Sequence, residues 1–212
     1  MRDIARTLDS TLREMKSDDV QGKLRIGIPD DQSKDTLARI VAEFVQSHPR
    51  VELEVTCAIS TGFEAALSSC SLDLAIYEVA QPRPDVEILR KEQTQWMLSR
   101  HHDLLSRHPI PVALFDRDCW WRDAALTSLE AMGRPYRITY SSQSVAGVAA
   151  AIEAGVAIGL LGEESQTAEL ERIGADYGFG ETPESHLVLG RAGDARTPAL
   201  EAMQVAVRNA FA

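Results

Sequence analysis

GKLRIGIPDDQSKDTLARIVAEFVQSHPRVELEV, residues 22–55, decides the fold. Leu24, Ile26 and Ile28 alternate as a half-buried β-strand does, and the strand stops at Pro29-Asp30-Asp31, ordinary turn formers. Leu37, Ile40, Val41, Phe44 and Val45 then recur at helical spacing, with Ser33 as candidate N-cap and His48-Pro49 as the stop. VELEVT (51–56) alternates again as a strand. Thr61-Gly62-Phe63-Glu64 has capping-box spacing, which makes Thr61 an N-cap and Phe63, Ala66 and Leu67 the face of a helix. LDLAIYE (72–78) is a further strand. Strand, helix, strand, helix, strand with short links implies a parallel sheet covered by helices.

The alternation resumes downstream. PVALF (111–115) reads as a strand, Trp120 to Ala131 as a helix closed by Gly133 and Pro135, and YRITY (136–140) as a strand. Ser144 to Ala154 is a helix and VAIGLL (156–161) a strand. Val86 to Lys91 and Gln95 to Arg100 are the candidate connecting strands between the two series, and His186 to Leu189 a return strand. The last helix has Thr197 as N-cap, Pro198 in its first turn, and Leu200, Met203, Val207 and Phe211 on one face. Two α/β units joined by strands rather than by a low-complexity linker suggest a hinge with a cleft. At the N-terminus Ile4, Leu8, Leu12 and Met15 fall on one helical face. So thin a stripe is marginal alone and is expected to pack on something outside itself.

Composition narrows the function classes. A chain of 212 residues with 44% hydrophobic and 25% charged residues is of the soluble globular kind, with room for one large domain or two small ones. Its net charge of -10, with no cluster of Lys and Arg, argues against a broad nucleic-acid face and leaves a small ligand or a protein partner. No apolar run is long enough to span a bilayer, and MRDIARTLDSTLREMKSDD lacks the apolar centre of a signal peptide, so a cytoplasmic location is expected. Cys57, Cys70 and Cys119 form no CxxC pair. They are expected to be reduced and structural, with a redox role for Cys119 as the alternative.

In open parallel sheets, ligands bind beyond the carboxyl ends of the strands. That rule selects Pro29, Asp30, Asp31 and Ser33 after the first strand, Ser60 and Thr61 after the second, Asp116 to Arg122 after PVALF, and Ser141, Ser142 and Ser144 after YRITY. Helix N-termini there would attract a carboxylate or phosphate, and the hydroxyls of Ser33, Thr61 and Ser144 suit either that role or simple capping. Asp30, Asp31, Asp116 and Asp118 would repel a bare anion. A ligand with an amine as well as an acid satisfies both, so an amphoteric or cationic effector is expected. In DRDCWWRD (116–123), Trp120 and Trp121 lie about 100° apart on a helix, which leaves one of them available to a cleft. Cys119 sits beside them, and Arg122 either clamps a carboxylate bidentately or pairs with a neighbouring Asp. There is no GxGxxG, P-loop or GxSxG, and His101-His102 lack the spacing of a helical zinc pair and read as a solvated loop. No catalytic residue, metal or cofactor is expected.

GKLRIGI, LARIVAEFVQSHPRVELEV and LSSCSLDLAIYE together resemble the effector-binding region of LysR-type transcriptional regulators. The stretch from PIPVALFDRDCWW to AIGLL resembles the second subdomain of one branch of that family. The resemblance runs from about Gly22 to the end and lies in order and spacing rather than in one motif. It implies an α/β fold like the type 2 periplasmic binding proteins, with two subdomains and two crossover strands. Residues 20–92 plus 195–212 would form subdomain I and 93–194 subdomain II. Residues 1–19 would be the tail of a linker helix leading from a helix-turn-helix domain that this chain lacks.

The resemblance further implies a small-molecule effector in the cleft and a homodimer, with a tetramer in the full-length protein. DNA would be contacted only through the missing domain. Dimerisation would bring Leu37 to Phe44 against roughly Ala124 to Ala131 of a second copy. The resemblance also marks two departures: family members often carry Ser or Thr where Pro29-Asp30-Asp31 stands, and Gly where Cys70 stands. A free-standing solute-binding protein of the same fold is the alternative, and it would carry an export signal.

Overall fold

The computed structural model describes residues 20–211 other than 31, 117–118 and 195. The N-terminal helix expected over 1–19, Asp31 and Asp118 therefore lie outside the described residues. The chain divides into two compact units. The first comprises the residues up to Tyr77, Pro84–Leu89 and the residues from Val188 onward, and the second comprises Glu78–Arg83 and Arg90–Leu187.

In the first unit, β1 (Gly22–Pro29) runs parallel to β2 (Val51–Ala58) and to β3 (Leu74–Val79). The strand order continues to β9 (Glu184–Arg191) as β2-β1-β3-β9. Leu24, Ile26 and Ile28 are all buried, as the alternation requires, and Pro29 ends β1 where a ladder donor is no longer needed. β2 is an edge strand, half-exposed along its length, and carries Glu52 and Glu54, which discourage pairing with another edge. Helix α1 (Lys34–Ser47) is capped by Ser33, whose Oγ accepts from the Thr36 amide at 3.1 Å. Its buried face is narrower than the periodicity implies: Ile40 and Phe44 are buried, whereas Val45 is 47% exposed. The expected Thr61 cap does not form. Ser60–Gly62 makes a tight turn of its own, and α2 (Phe63–Ser68) starts from Gly62 with no side-chain cap. Helix α5 (Pro198–Phe211), capped by Thr197 Oγ1 accepting from the Leu200 amide at 3.2 Å, packs on α1 and on β1 through Leu200, Met203 and Val207.

Cys70, in the turn leading to β3, has φ 56°, the only left-handed φ among the described non-glycine residues. That conformation costs a residue with a Cβ about 1–2 kcal/mol, and glycine recovers most of it. Cys70→Gly is expected to stabilise the chain by about 0.5–1 kcal/mol in urea unfolding.

In the second unit, β5 (Ile110–Phe115) lies between β6 (Tyr136–Ser142) and β7 (Ile158–Gly162), parallel to both. The long strand β4 (Glu87–Ser99) pairs antiparallel with β7 and with β8 (Leu170–Arg172), giving the order β4-β7-β5-β6. All six residues of β5 are buried, because both faces of the sheet are covered. Val112 and Leu114 point to one face, with Trp96 and with Ala125 and Leu129 of α3 (Trp120–Met132). Ala113 and Phe115 point to the other, with Met97 and with Val148, Ala151 and Ile152 of α4 (Val145–Glu153). Gly133 closes α3 at φ 68°, a left-handed cap that glycine alone adopts freely. The two expected connecting strands, Val86 to Lys91 and Gln95 to Arg100, are one continuous strand in the structure. The polar Glu92-Gln93-Thr94 separates them in the sequence, yet Glu92 and Thr94 are buried and Thr94 pairs with Gly162. Among the described residues no helix is long and apolar enough to cross a membrane.

Candidate functional site

The residues singled out in the sequence gather at the carboxyl ends of parallel strands, one group in each unit. In the first unit, β1 and β2 end in register, Pro29 opposite Ala58, and the Asp30 amide donates to the Ala58 carbonyl at 3.2 Å. This brings the Pro29-Asp30 turn beside Ser60 and Thr61. Pro29 is buried, Ser60 half-buried, and Asp30, Ser33 and Thr61 exposed. Ser33 Oγ is engaged as the α1 cap and lies 2.8 Å from Thr36 Oγ1.

In the second unit, β5 and β6 also end in register, Phe115 opposite Ser142, and the Asp116 amide donates to the Ser142 carbonyl at 3.0 Å. Asp116, Cys119, Trp120, Arg122, Ser142 and Ser144 are thereby collected at one end of the sheet. Ser144 Oγ caps α4 by accepting from the Gly147 amide at 3.1 Å, and Ser142 Oγ accepts from the Ser144 amide at 3.2 Å. The fit is close: a Cβ at Gly147 would lie 2.1 Å from Ser142 Oγ. Capping is thus the demonstrated work of Ser33 and Ser144, though the Ser144 hydroxyl keeps its proton to donate.

Helix α3 differs. Its N-cap residue Cys119 is extended and buried, and its side chain makes no cap bond to the first-turn amides. Arg122 has a role beyond the two expected: its guanidinium donates to the Phe115 carbonyl at the end of β5. The tryptophan rings do not diverge as the helical angle implied. Their centroids are 4.6 Å apart at 32°, both half-buried, with Phe115 6.3 Å from Trp121. Trp121 Nε1 donates to Glu78 Oε2 at 2.9 Å, which anchors that indole, with the tilted Trp120 ring against it. Glu78 was missed in the sequence, although it stands near the carboxyl end of β3, where the strand-end rule applies as well.

A second acidic feature lies on β4. Glu92 is 8% exposed; its Oε1 accepts from the Glu164 amide at 2.7 Å, and Arg90 bridges to Glu164 at 2.6 Å. Burial pushes the Glu92 carboxyl above its ordinary value, against the opposing effects of the Glu164 amide and Arg90. The folded state then holds a proton that the unfolded state has released, so stability falls as pH rises from the ordinary glutamate range through the raised one. Glu92→Gln, which keeps the acceptor, is expected to remove this fall and raise the melting temperature at neutral pH by about 2–4 °C, measured by circular dichroism across pH.

A family model described as the LysR substrate binding domain matches residues 17–212. The HTH-type transcriptional regulator DgdR of Burkholderia cepacia is 28% identical over 173 residues, covering 82% of this chain and 59% of that protein. PecT of Dickeya dadantii, also an HTH-type transcriptional regulator, is 26% identical over 190 residues, covering 90% of this chain and 60% of PecT. The chain therefore spans about three-fifths of the length of these curated relatives. Among solved structures, the effector binding domain of QuiR in complex with shikimate matches with a TM-score of 0.64 at 14% identity, covering 89% of this chain and 96% of that one. At that identity the likeness speaks to the fold alone.

Proposed function

Since the chain belongs to the LysR substrate-binding domain family, we propose that it senses a small-molecule effector and serves as the regulatory part of a transcriptional regulator, without catalysis. The observation that carries the reading is the collection of polar and aromatic side chains at the carboxyl ends of paired parallel strands in each unit. The naming of both curated relatives as HTH-type regulators supports the link to DNA, which a separate helix-turn-helix part would contact. A cytoplasmic location goes with that role. Effector binding would shift the population of conformations, and a dimer formed by Leu37 to Phe44 against Ala124 to Ala131 of a second copy would transmit it. The exposed Val45 and half-exposed Leu37 and Val41 on α1 support that partner.

The effector is amphoteric or cationic in this reading. In the second unit the N-terminus of α3, where Cys119 supplies no side-chain cap, suits an acid group, the exposed carboxylate of Asp116 suits an amine, and Trp120 offers a flat apolar surface. Cys119, Ser142 and Ser144 shape the strand ends of the second unit, and Pro29, Asp30, Ser33, Ser60 and Thr61 those of the first, with Asp31 next to Asp30 in the chain.

A thermal-shift screen of amino acids, amines, aromatic acids and dicarboxylates tests this. An amine-bearing acid at a hundredfold excess over its Kd is expected to raise the melting temperature by about 5–10 °C. Asp116→Ala is expected to weaken it at least about tenfold. A preference for simple dicarboxylates would sink the ligand class, and unchanged binding in Asp116→Ala would sink the site.

A further inference from the structure

The second unit holds a cavity of about 590 Å³ that shares no residue with the strand ends described above. Its volume is that of a small-molecule site. Leu105 and Ser106 precede β5 and Arg134 precedes β6, so the cavity lies at the amino ends of these parallel strands, whereas Asp116 and Ser142 mark their carboxyl ends. Buried Leu98 and Ile173, with Leu105 and Tyr177, give it apolar walls.

Its charge is opposite to that of the chain. Arg100, Arg134 and Arg172 line it against two acids, Asp103 and Glu171, a formal excess of one positive charge (3 − 2) with the histidines neutral, in a chain of net charge -10. Both acids are occupied. Asp103 Oδ1 accepts from the Ser106 amide at 3.2 Å, and Glu171 Oε2 faces Arg100 Nη1 at 3.5 Å. Arg134 Nη2 donates to the Leu105 carbonyl at 2.6 Å, which fixes its guanidinium in the wall while the other N–H groups remain available for a ligand. His102 is fixed too, its Nδ1 3.1 Å from Ser99 Oγ and its ring packed over Gly155, where a Cβ would come within 2.2 Å.

We propose that this cavity is a second ligand site, which takes a small organic acid. The carboxylate or phosphate sits on Arg134 and Arg172, and the apolar body lies against Leu98, Ile173 and Tyr177. Guanidinium groups suit both acids because their paired N–H donors match two oxygens. The site stands independently of the strand-end effector reading.

The test is titration of the isotope-labelled full chain with benzoate, phenyl phosphate and, as a charge control, benzylamine, followed by amide NMR shifts. Both acids are expected to give saturable shifts at the amides of 98–106 and 171–173, and benzylamine none; whichever acid binds more tightly identifies the acid group. Arg134→Ala and Arg172→Ala are each expected to weaken binding about tenfold. Arg172 is exposed, so its variant remains informative if Arg134→Ala fails to fold. Shifts that do not saturate, or an Arg172→Ala chain that binds as tightly as the parent, would overturn the proposal. So would loss of the shifts in Asp116→Ala, which would assign the probes to the strand ends instead.

Discussion

Trp96→Ala is expected to destabilise the protein by about 3–5 kcal/mol, seen as a lower midpoint in urea unfolding. Trp96 is 2% exposed on β4 and packs with its ring centroid 5.0 Å from that of Phe179. Its Nε1 donates to Ser128 Oγ at 2.9 Å, and Ser128 Oγ in turn donates to the Phe179 carbonyl at 2.7 Å. One side chain thus ties β4 to α3 and to the loop around Phe179. Removing it opens a cavity behind the helix whose first turn carries Trp120 and Arg122, so effector binding should weaken along with stability. Trp96→Phe separates the two contributions. It keeps most of the packing, and Ser128 remains satisfied through Phe179, so its cost should be about 1 kcal/mol.

Among substitutions that act on stability, Asp73→Ala should have the second largest effect, lowering the melting temperature by about 5 °C. The Asp73 carboxylate accepts from the Arg25 amide at 2.8 Å and from Arg25 Nε and Nη2 at 3.1 and 2.7 Å. The Asp73 amide returns a bond to the Arg25 carbonyl at 2.9 Å. The turn before β3 is held to β1 by this reciprocal set, and substitution leaves the Arg25 amide without its partner. The side chains are about one-quarter and one-third exposed, so solvent screening keeps the effect below that of a buried pair.

The guanidinium of Arg25, aided by the Arg25 amide and opposed by burial, holds the Asp73 carboxyl below its ordinary value. This stabilisation is complete above the ordinary aspartate range and is lost as pH falls through the lowered one, because the unfolded chain takes up the proton first. Acid unfolding should therefore shift to higher pH in Asp73→Asn. An acid midpoint equal to that of the parent would show that the pair contributes nothing.

The elements legible in the sequence were those announced by local chemistry. Ser33, Ser144 and Thr197 are caps because a hydroxyl precedes each helical stripe, and Gly133 ends α3 because the left-handed position favours glycine. PVALF is readable as a strand because its apolar run is unbroken, and the structure buries every residue of it. Less legible was whatever depended on partners far along the chain. Glu92 and Thr94 broke the apolar pattern of β4, yet Glu92 is satisfied by an amide 72 residues away and Thr94 by the Pro183 carbonyl 89 away. The Thr61 cap failed because a separate turn intervenes before α2, which spacing alone does not reveal. For the site, the strand-end rule located the residues but not their partners. Trp121 with Glu78 and Arg122 with the Phe115 carbonyl are side-chain choices that no periodicity encodes.

The division of the chain sets an order of synthesis. The second unit is nearly contiguous, with Arg90–Leu187 supplying all but one short piece. The first unit lacks the second half of β9 and all of α5 until residues 188–211 have been made, although α5 packs on α1 and β1. A nascent chain is therefore expected to complete its second unit while the first still exposes Ile40 and Phe44. Translation pauses after Leu187 would prolong a half-built state with an uncovered helix, the natural substrate for a chaperone.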